Sequence, residues 1–120
     1  MDRLRIRADF LRAAKGIRRV TPALTLELCP SPETVARTDR LRVGFTASRK
    51  VGGAVERNRA KRRLRAVAAQ LLPLSGKGGN DYVLVARPAT LTRHFNDLLE
   101  DLSVALRAAH QKLSTKAGSA

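Results

Sequence analysis

SRKVGGAVERNRAKRRLRAVAAQLL, residues Ser48 to Leu72, is the stretch from which the rest of the chain can be read. Between Arg57 and Arg65 six of nine residues are basic (Arg57, Arg59, Lys61, Arg62, Arg63, Arg65), and no Asp or Glu occurs from Arg57 until Asp81. Wound at about 100° per residue, Ala60, Leu64, Val67, Ala68 and Leu71 gather into one apolar stripe. The stretch is therefore expected to be a helix docked on a core. Asn58, Lys61, Arg62 and Arg65 fall on one flank of the stripe, Arg59 and Arg63 on the other. Solvated helices intersperse acids at i,i+4 spacing to offset self-repulsion. Here the only acid is Glu56, at the start, and the unrelieved charge calls for a polyanion. A nuclear-localisation signal could share this composition, but it leaves the stripe and the preceding Gly52 and Gly53 unexplained.

The whole chain carries the same bias. Its 120 residues have a net charge of +14 and a pI near 11.6, so nucleic acid is the default partner and an anionic membrane surface the competitor. At this length one domain with a modest core is expected, residues 1–120, with about 1–7 and 113–120 as flexible ends. The longest clean apolar run, Tyr82 to Ala86, is far short of the roughly 20 residues of a membrane helix. Met1 to Arg7 lacks the apolar centre of a signal peptide, so the protein is expected in the cytoplasm. A lone Cys29 forms no internal disulfide and has no metal-ligand spacing.

Outward from the basic helix, the pattern is one of short elements. Ala8 to Lys15 reads as a helix closed by Gly16 in a left-handed cap, with Phe10, Ala13 and Ala14 on one face. Phe10 can serve as core or stack on a nucleotide base. Arg18 to Val20 allows a short strand. Ala23 to Leu28 alternates as a strand, Leu24, Leu26 and Leu28 opposite Thr25 and Glu27. Cys29 to Asp39, with Pro30, Ser31, Pro32 and Thr38, reads as a loop. Leu41 to Ala47 alternates again, and its small, hydroxylated face (Gly44, Thr46, then Ser48) together with Thr25 makes a shallow polar trough beside the basic helix. The glycine pair serves a turn with unusual dihedrals, or helix-start amides open to a phosphate or carboxylate. Pro73 is expected to end the basic helix. Leu74 to Asp81 is a connector, Tyr82 to Arg87 a central strand covered on both faces, and Thr92 to Gln111 a last amphipathic helix with Thr92 as N-cap. Asp97, Glu100 and Asp101 suit the dipole of that helix.

Nothing in the chain assembles a reaction. His94 and His110 stand sixteen apart without a Cys or carboxylate at site spacing, and no base, nucleophile and orienting partner come together. No catalytic or metal-binding residue is assigned. The polypeptide is expected to bind nucleic acid and leave chemistry to another component.

Lys50-Val51-Gly52-Gly53-Ala54-Val55, Arg57-Asn58-Arg59 and Lys61-Arg62-Arg63-Leu64-Arg65, at these offsets, resemble the RNR signature of the bacterial ribonuclease P protein component. The pattern by itself gives an α+β fold, one mainly antiparallel sheet of about four strands with helices packed on it, in the order α-β-β-β-α-β-α. The resemblance adds a left-handed β-α-β crossover, against the usual hand. It also implies the small subunit of a ribonucleoprotein endonuclease whose RNA, with Mg2+, removes the 5′ leader from precursor tRNA. Ribonuclease P RNA and precursor tRNA would be its partners, with no membrane and no DNA. Lys50, Arg57, Asn58, Arg59, Lys61, Arg62, Arg63 and Arg65 would lie near RNA, and Phe10, Thr25, Thr46 and Ser48 in the leader cleft. Ala13, Ala14 and Glu27 depart from the aromatic or bulkier residues common there, which shifts binding from stacking towards electrostatic and polar contacts. A general RNA-binding or ribosome-associated basic protein without a role in cleavage would share the charge but need not share these offsets.

Overall fold

Strand alternation sorts the side chains onto two unlike faces of one sheet. The computed structural model describes residues 1–36 and 39–118. In chain order the elements are β1 (Asp2–Arg3), α1 (Arg7–Ala14), β2 (Ile17–Val20), β3 (Leu24–Pro30), a single turn α2 (Glu33–Ala36), β4 (Arg42–Ala47), α3 (Ala54–Ser75), β5 (Asn80–Ala86), a 3-10 turn (Pro88–Leu91) and α4 (Phe95–Gly118). The sheet order is β1-β4-β5-β3-β2. β3 is antiparallel to both β2 and β5, whereas β4 is parallel to both β1 and β5. The α+β class and the order of the main elements agree with the pattern. The sheet differs in having five strands and mixed pairing.

One face is the core. Leu24, Leu26 and Leu28 of β3, Val43 of β4 and Tyr82 and Leu84 of β5 meet Ala60, Leu64, Val67, Ala68 and Leu72 of α3 and Leu98, Leu102, Ala105, Leu106 and Ala109 of α4. The stripe on α3 ends on Leu72, fully buried, and Leu71 is only partly covered. Tyr82 accepts the N–H of Lys77 at 2.8 Å and meets His110 Nε2 at 2.7 Å, which ties the end of α3 to α4 through β5. Burial, reinforced by Lys77, holds the His110 imidazole below its ordinary pKa.

Several boundaries differ from expectation for identifiable reasons. Pro73 does not end α3, because a proline in the last turn removes only one backbone hydrogen bond. The helix closes at Gly76, whose N–H donates to the Leu72 carbonyl at 2.8 Å. Gly16 is not a left-handed cap; it lets the chain pass so near β3 that a Cβ there would lie 2.4 Å from the Leu28 carbonyl oxygen. Ala14 is exposed, and the inner face of α1 is Asp9 and Ala13. The expected loop after Cys29 is shorter, since β3 runs to Pro30 and the Pro32 carbonyl accepts the N–H groups of Val35 and Ala36; Thr38 lies outside the described residues.

The ends are also more structured than expected. Asp2 N–H donates to Leu41 and Leu4 N–H to Val43, at 3.0 and 2.8 Å, and Leu4 is buried. Thr92 follows the 3-10 turn, and α4 starts later, with His94 Nδ1 accepting the Asn96 N–H at 3.3 Å. Helix α4 continues through the expected tail to Gly118; Ser119 and Ala120 lie outside the described residues.

Candidate nucleic-acid interface

The second face of the sheet is built quite differently. Register places its side chains in rows across the strands: Cys29, Asp81 and Arg42; then Arg18, Glu27, Val83 and Gly44; then Val20, Thr25, Val85 and Thr46. Helix α1 covers the first of these rows and leaves the last open.

A small apolar cluster, Ala13 with Leu4, Cys29 and Val83, lies under α1, and an ionic ring surrounds it. Asp81, fully buried, accepts from Arg12 at 2.6 Å, from Arg42 at 2.7 and 2.8 Å, and from Ser31 at 2.7 Å. Asp9, also buried, lies 2.9 Å from Arg12 and 3.3 Å from Arg42. Two carboxylates and two guanidiniums thus close a ring between helix and sheet, in which each buried carboxylate has a guanidinium partner while Arg12 Nε is left without an acceptor. Burial alone would raise the Asp81 pKa, but its hydrogen bonds from Arg42, Ser31 and Arg12 outweigh burial and hold it below the usual carboxylate value. The same burial pushes the Cys29 thiol up, which leaves it an inert small core residue.

Phe10 locks the helix sideways. A Cβ on Gly44 would stand 2.5 Å from ring atom Cε1 of Phe10, so glycine is what allows the ring onto β4. Phe10 remains half-buried, packed like Val85 on the cluster of Leu4, Ala13, Cys29 and Val83; its ring walls off α1 and is not among the residues that line the neighbouring groove.

Beyond that wall is a groove of about 350 Å³ lined by Arg18, Val20, Thr25, Ser48, Lys50, Val85, Ala86, Arg87 and Pro88. Of the residues expected in the trough, Thr25 is in its floor, nearly covered at 3% exposure. Ser48 is on the rim, and Thr46 sits in the floor row beside Val85. Arg18 and Lys50 give the groove its positive charge, whereas Arg87 donates to the Thr21 carbonyl at 3.0 Å and shapes the wall. A hollow of about 280 Å³ elsewhere, between Leu41 and Leu72, carries Asp39 and Arg40, one charge of each sign, and has no comparable pull on a polyanion.

Lys50 leads from this groove into α3. Gly52, at φ +145°, makes the turn that only glycine takes without strain. Gly53 is extended and is the N-cap. Glu56 folds back over the pair, so near that a Cβ on Gly52 would lie 2.8 Å from its Cβ, without a capping hydrogen bond to the helix start. Asn58, Arg59 and Arg62 are exposed and Arg57, Lys61 and Arg65 half-buried. Among the described residues none of the cations from Arg57 to Arg65 forms a salt bridge. Arg63 has another occupation: its guanidinium donates to the carbonyls of Leu91, at 3.2 Å, and of Arg93. It fastens α3 to the segment before α4, and Arg93 is in turn held by Asp101 through two contacts of 3.1 Å.

Arg18, Val20, Val85 and the Asp9–Arg12–Arg42–Asp81 ring are residues of the candidate face that the sequence reading missed. Alternation alone could have put Arg18 and Val20 on one face, but only pairing register brings that face beside Thr25.

A family model described as Ribonuclease P matches residues 1–110. The ribonuclease P protein component of Paramagnetospirillum magneticum is 46% identical, over 100% of this chain and 91% of its own length. That of Ruegeria pomeroyi is 47% identical, over 89% and 85%. Among solved structures, the RNase P protein of Thermotoga maritima matches with a TM-score of 0.72 at 26% identity, covering 90% of this chain and 97% of that one. The Staphylococcus aureus RNase P protein gives 0.71 at 25%, covering 91% and 95%.

Proposed function

The chain belongs to the ribonuclease P protein family, and from that premise we propose that its two positive surfaces divide one task. It is the protein subunit of a ribonucleoprotein endoribonuclease. In our reading, the exposed and half-buried cations of α3, Arg57, Arg59, Lys61, Arg62 and Arg65 with Asn58, bind the ribonuclease P RNA. The groove between Arg18 and Lys50 takes the single-stranded 5′ leader of precursor tRNA. Phosphate contacts position a strand without reading its sequence, so leaders that differ in sequence can share them.

The observation that supports this reading best is the continuity of groove and helix through Lys50. A strand lying in the groove runs out beside a helix with no acid after Glu56 in its first turn, whose cations form no salt bridge among the described residues; only Arg57, to the Gly53 carbonyl, and Arg63 donate to the protein's own backbone. Among the described residues no three His, Cys, Asp or Glu side chains converge as a metal cage, and the proposal assigns the Mg2+ ions to the RNA. No helix among the described residues is long and apolar enough to cross a membrane; the cytoplasm, where precursor tRNA is made, is the proposed compartment.

Reconstitution tests the proposal. The protein is mixed with a ribonuclease P RNA at low magnesium, and cleavage of a precursor tRNA with its leader is followed. The protein alone should cut nothing, and the mixture should cleave at the mature 5′ end where RNA alone is slow. Binding to RNA without any change in cleavage would replace this reading with that of a general RNA-binding protein.

A further inference from the structure

The open face of the sheet carries one acid among its cations. Glu27 stands on β3 one pleat repeat, about 6.8 Å, from Thr25 in the groove floor, between Arg18 on β2 and Val83 on β5. It is half-buried, and among the described residues no hydrogen bond or salt bridge holds it. Burial raises its pKa, and only the nearby charge of Arg18 pulls the other way. For a site that binds only phosphate, this carboxylate is a cost, because it repels the ligand and surrenders water without gaining a donor.

A nucleobase changes that balance. Val20, 59% exposed, and Val85 flank Thr25 in the adjoining row, an apolar floor on which the flat face of a base can rest. Its edge then points along β3 towards Glu27. Bases of single strands offer their Watson–Crick edges to such contacts, and a carboxylate accepts but cannot donate. Guanine alone among the four standard bases presents two adjacent donors there, N1–H and the 2-amino group, to match two carboxylate oxygens. Cytosine and adenine offer one amino group beside an acceptor, and uracil one N–H between two acceptors.

We propose that Glu27, over the Val20–Thr25–Val85 floor, is a specificity-determining residue that reads guanine at one position of the leader. The proposal rests on the reading of the groove as the leader site. Arg18 and Lys50 would hold the phosphates on either side, so affinity and base choice are carried by different residues.

The test uses the reconstituted holoenzyme and precursor tRNAs in which each leader position is varied through the four bases, with a leaderless tRNA as reference. The wild-type protein should favour guanine at one position by roughly tenfold in Kd, within the range a paired base edge gives. Glu27→Ala should erase that preference and bind the other three leaders at least as tightly as wild type. Glu27→Gln, with one acceptor and one donor, should move the preference away from guanine. The proposal is overturned if Glu27→Ala retains the guanine preference, or if the wild type distinguishes no base although the leader strengthens binding. A leaderless tRNA bound as tightly as the full substrate would instead remove the leader reading on which the proposal stands.

Discussion

The two faces of this sheet use the same five strands and reach opposite solutions. Towards α3 and α4, alternate residues are Leu, Val and Tyr in a dry core. Towards α1, Thr, Gly, Arg, Asp and Glu alternate with Cys29 and three valines, and that helix is held by a ring of charges and a Phe ring on a glycine around a small apolar cluster of Leu4, Ala13, Cys29 and Val83. An apolar face binds helices by area, without much regard to exact position. An ionic and steric clasp positions one short helix and leaves the rest of its face open. The division lets the molecule keep a groove without lacking a core.

The largest effect should come from breaking the clasp. Asp81→Ala leaves Arg42 and the partly exposed Arg12 with Asp9 as their remaining carboxylate, and urea unfolding should show a loss of about 3 kcal/mol, the low end for a broken buried pair. The native Asp81 contribution is complete above its unfolded pKa, near 3.8, and is lost as pH falls through the lower folded value; in the variant that acid sensitivity should shrink. If Asp81→Ala were as stable as wild type, the apolar core would be holding α1 too, and the contrast between the faces would be false.

A smaller effect separates two adjacent arginines of α3. Arg63→Ala removes donors to two carbonyls, and should cost about 1–3 kcal/mol in unfolding while leaving the salt dependence of RNA binding unchanged. Arg62→Ala should do the reverse, with stability held and the slope of log affinity against log salt reduced by about 0.7 on single-stranded RNA. Equal behaviour in both assays would mean that the packed side of α3 is not distinct from its exposed side.

The smallest expected effect concerns the core face itself. The folded pKa of His110 lies below its ordinary 6.5, so its contribution is complete above that value and is lost as pH falls through the folded one. Melting temperature should decline as pH falls below 6.5, and His110→Gln should flatten that decline. A flat wild-type profile would show that the Tyr82–His110 contact is wet.

Most of the core face was legible from period alone: Leu24, Leu26 and Leu28 at spacing two, Leu64, Val67 and Ala68 at helical spacing. The basic helix and its signature were equally plain, because charge and offset are local properties of a sequence. The other face was not. Asp81 reads as the end of a glycine-rich connector until Arg42 and Arg12, thirty-nine and sixty-nine residues away, are brought to it by the parallel pairing of β4 with β5 and the docking of α1. Arg63 looks like its neighbours, and only the path of the chain after Pro88 shows which carbonyls it meets. Long-range pairing carries these facts, and no local pattern encodes it.

The strand at the centre of the sheet, β5, is also the last strand to be synthesised. β3 and β4 both pair with it and not with each other, so a nascent chain that has passed α3 holds a β2–β3 hairpin and a β1–β4 pair with nothing between them. Closure of the sheet then waits for seven residues, Asn80–Ala86, and happens as one event that also brings α3 and the ionic clasp into register. A chain released before Asn80 would have made every basic residue of α3 and still lack two of the elements on which that helix packs, β5 and α4.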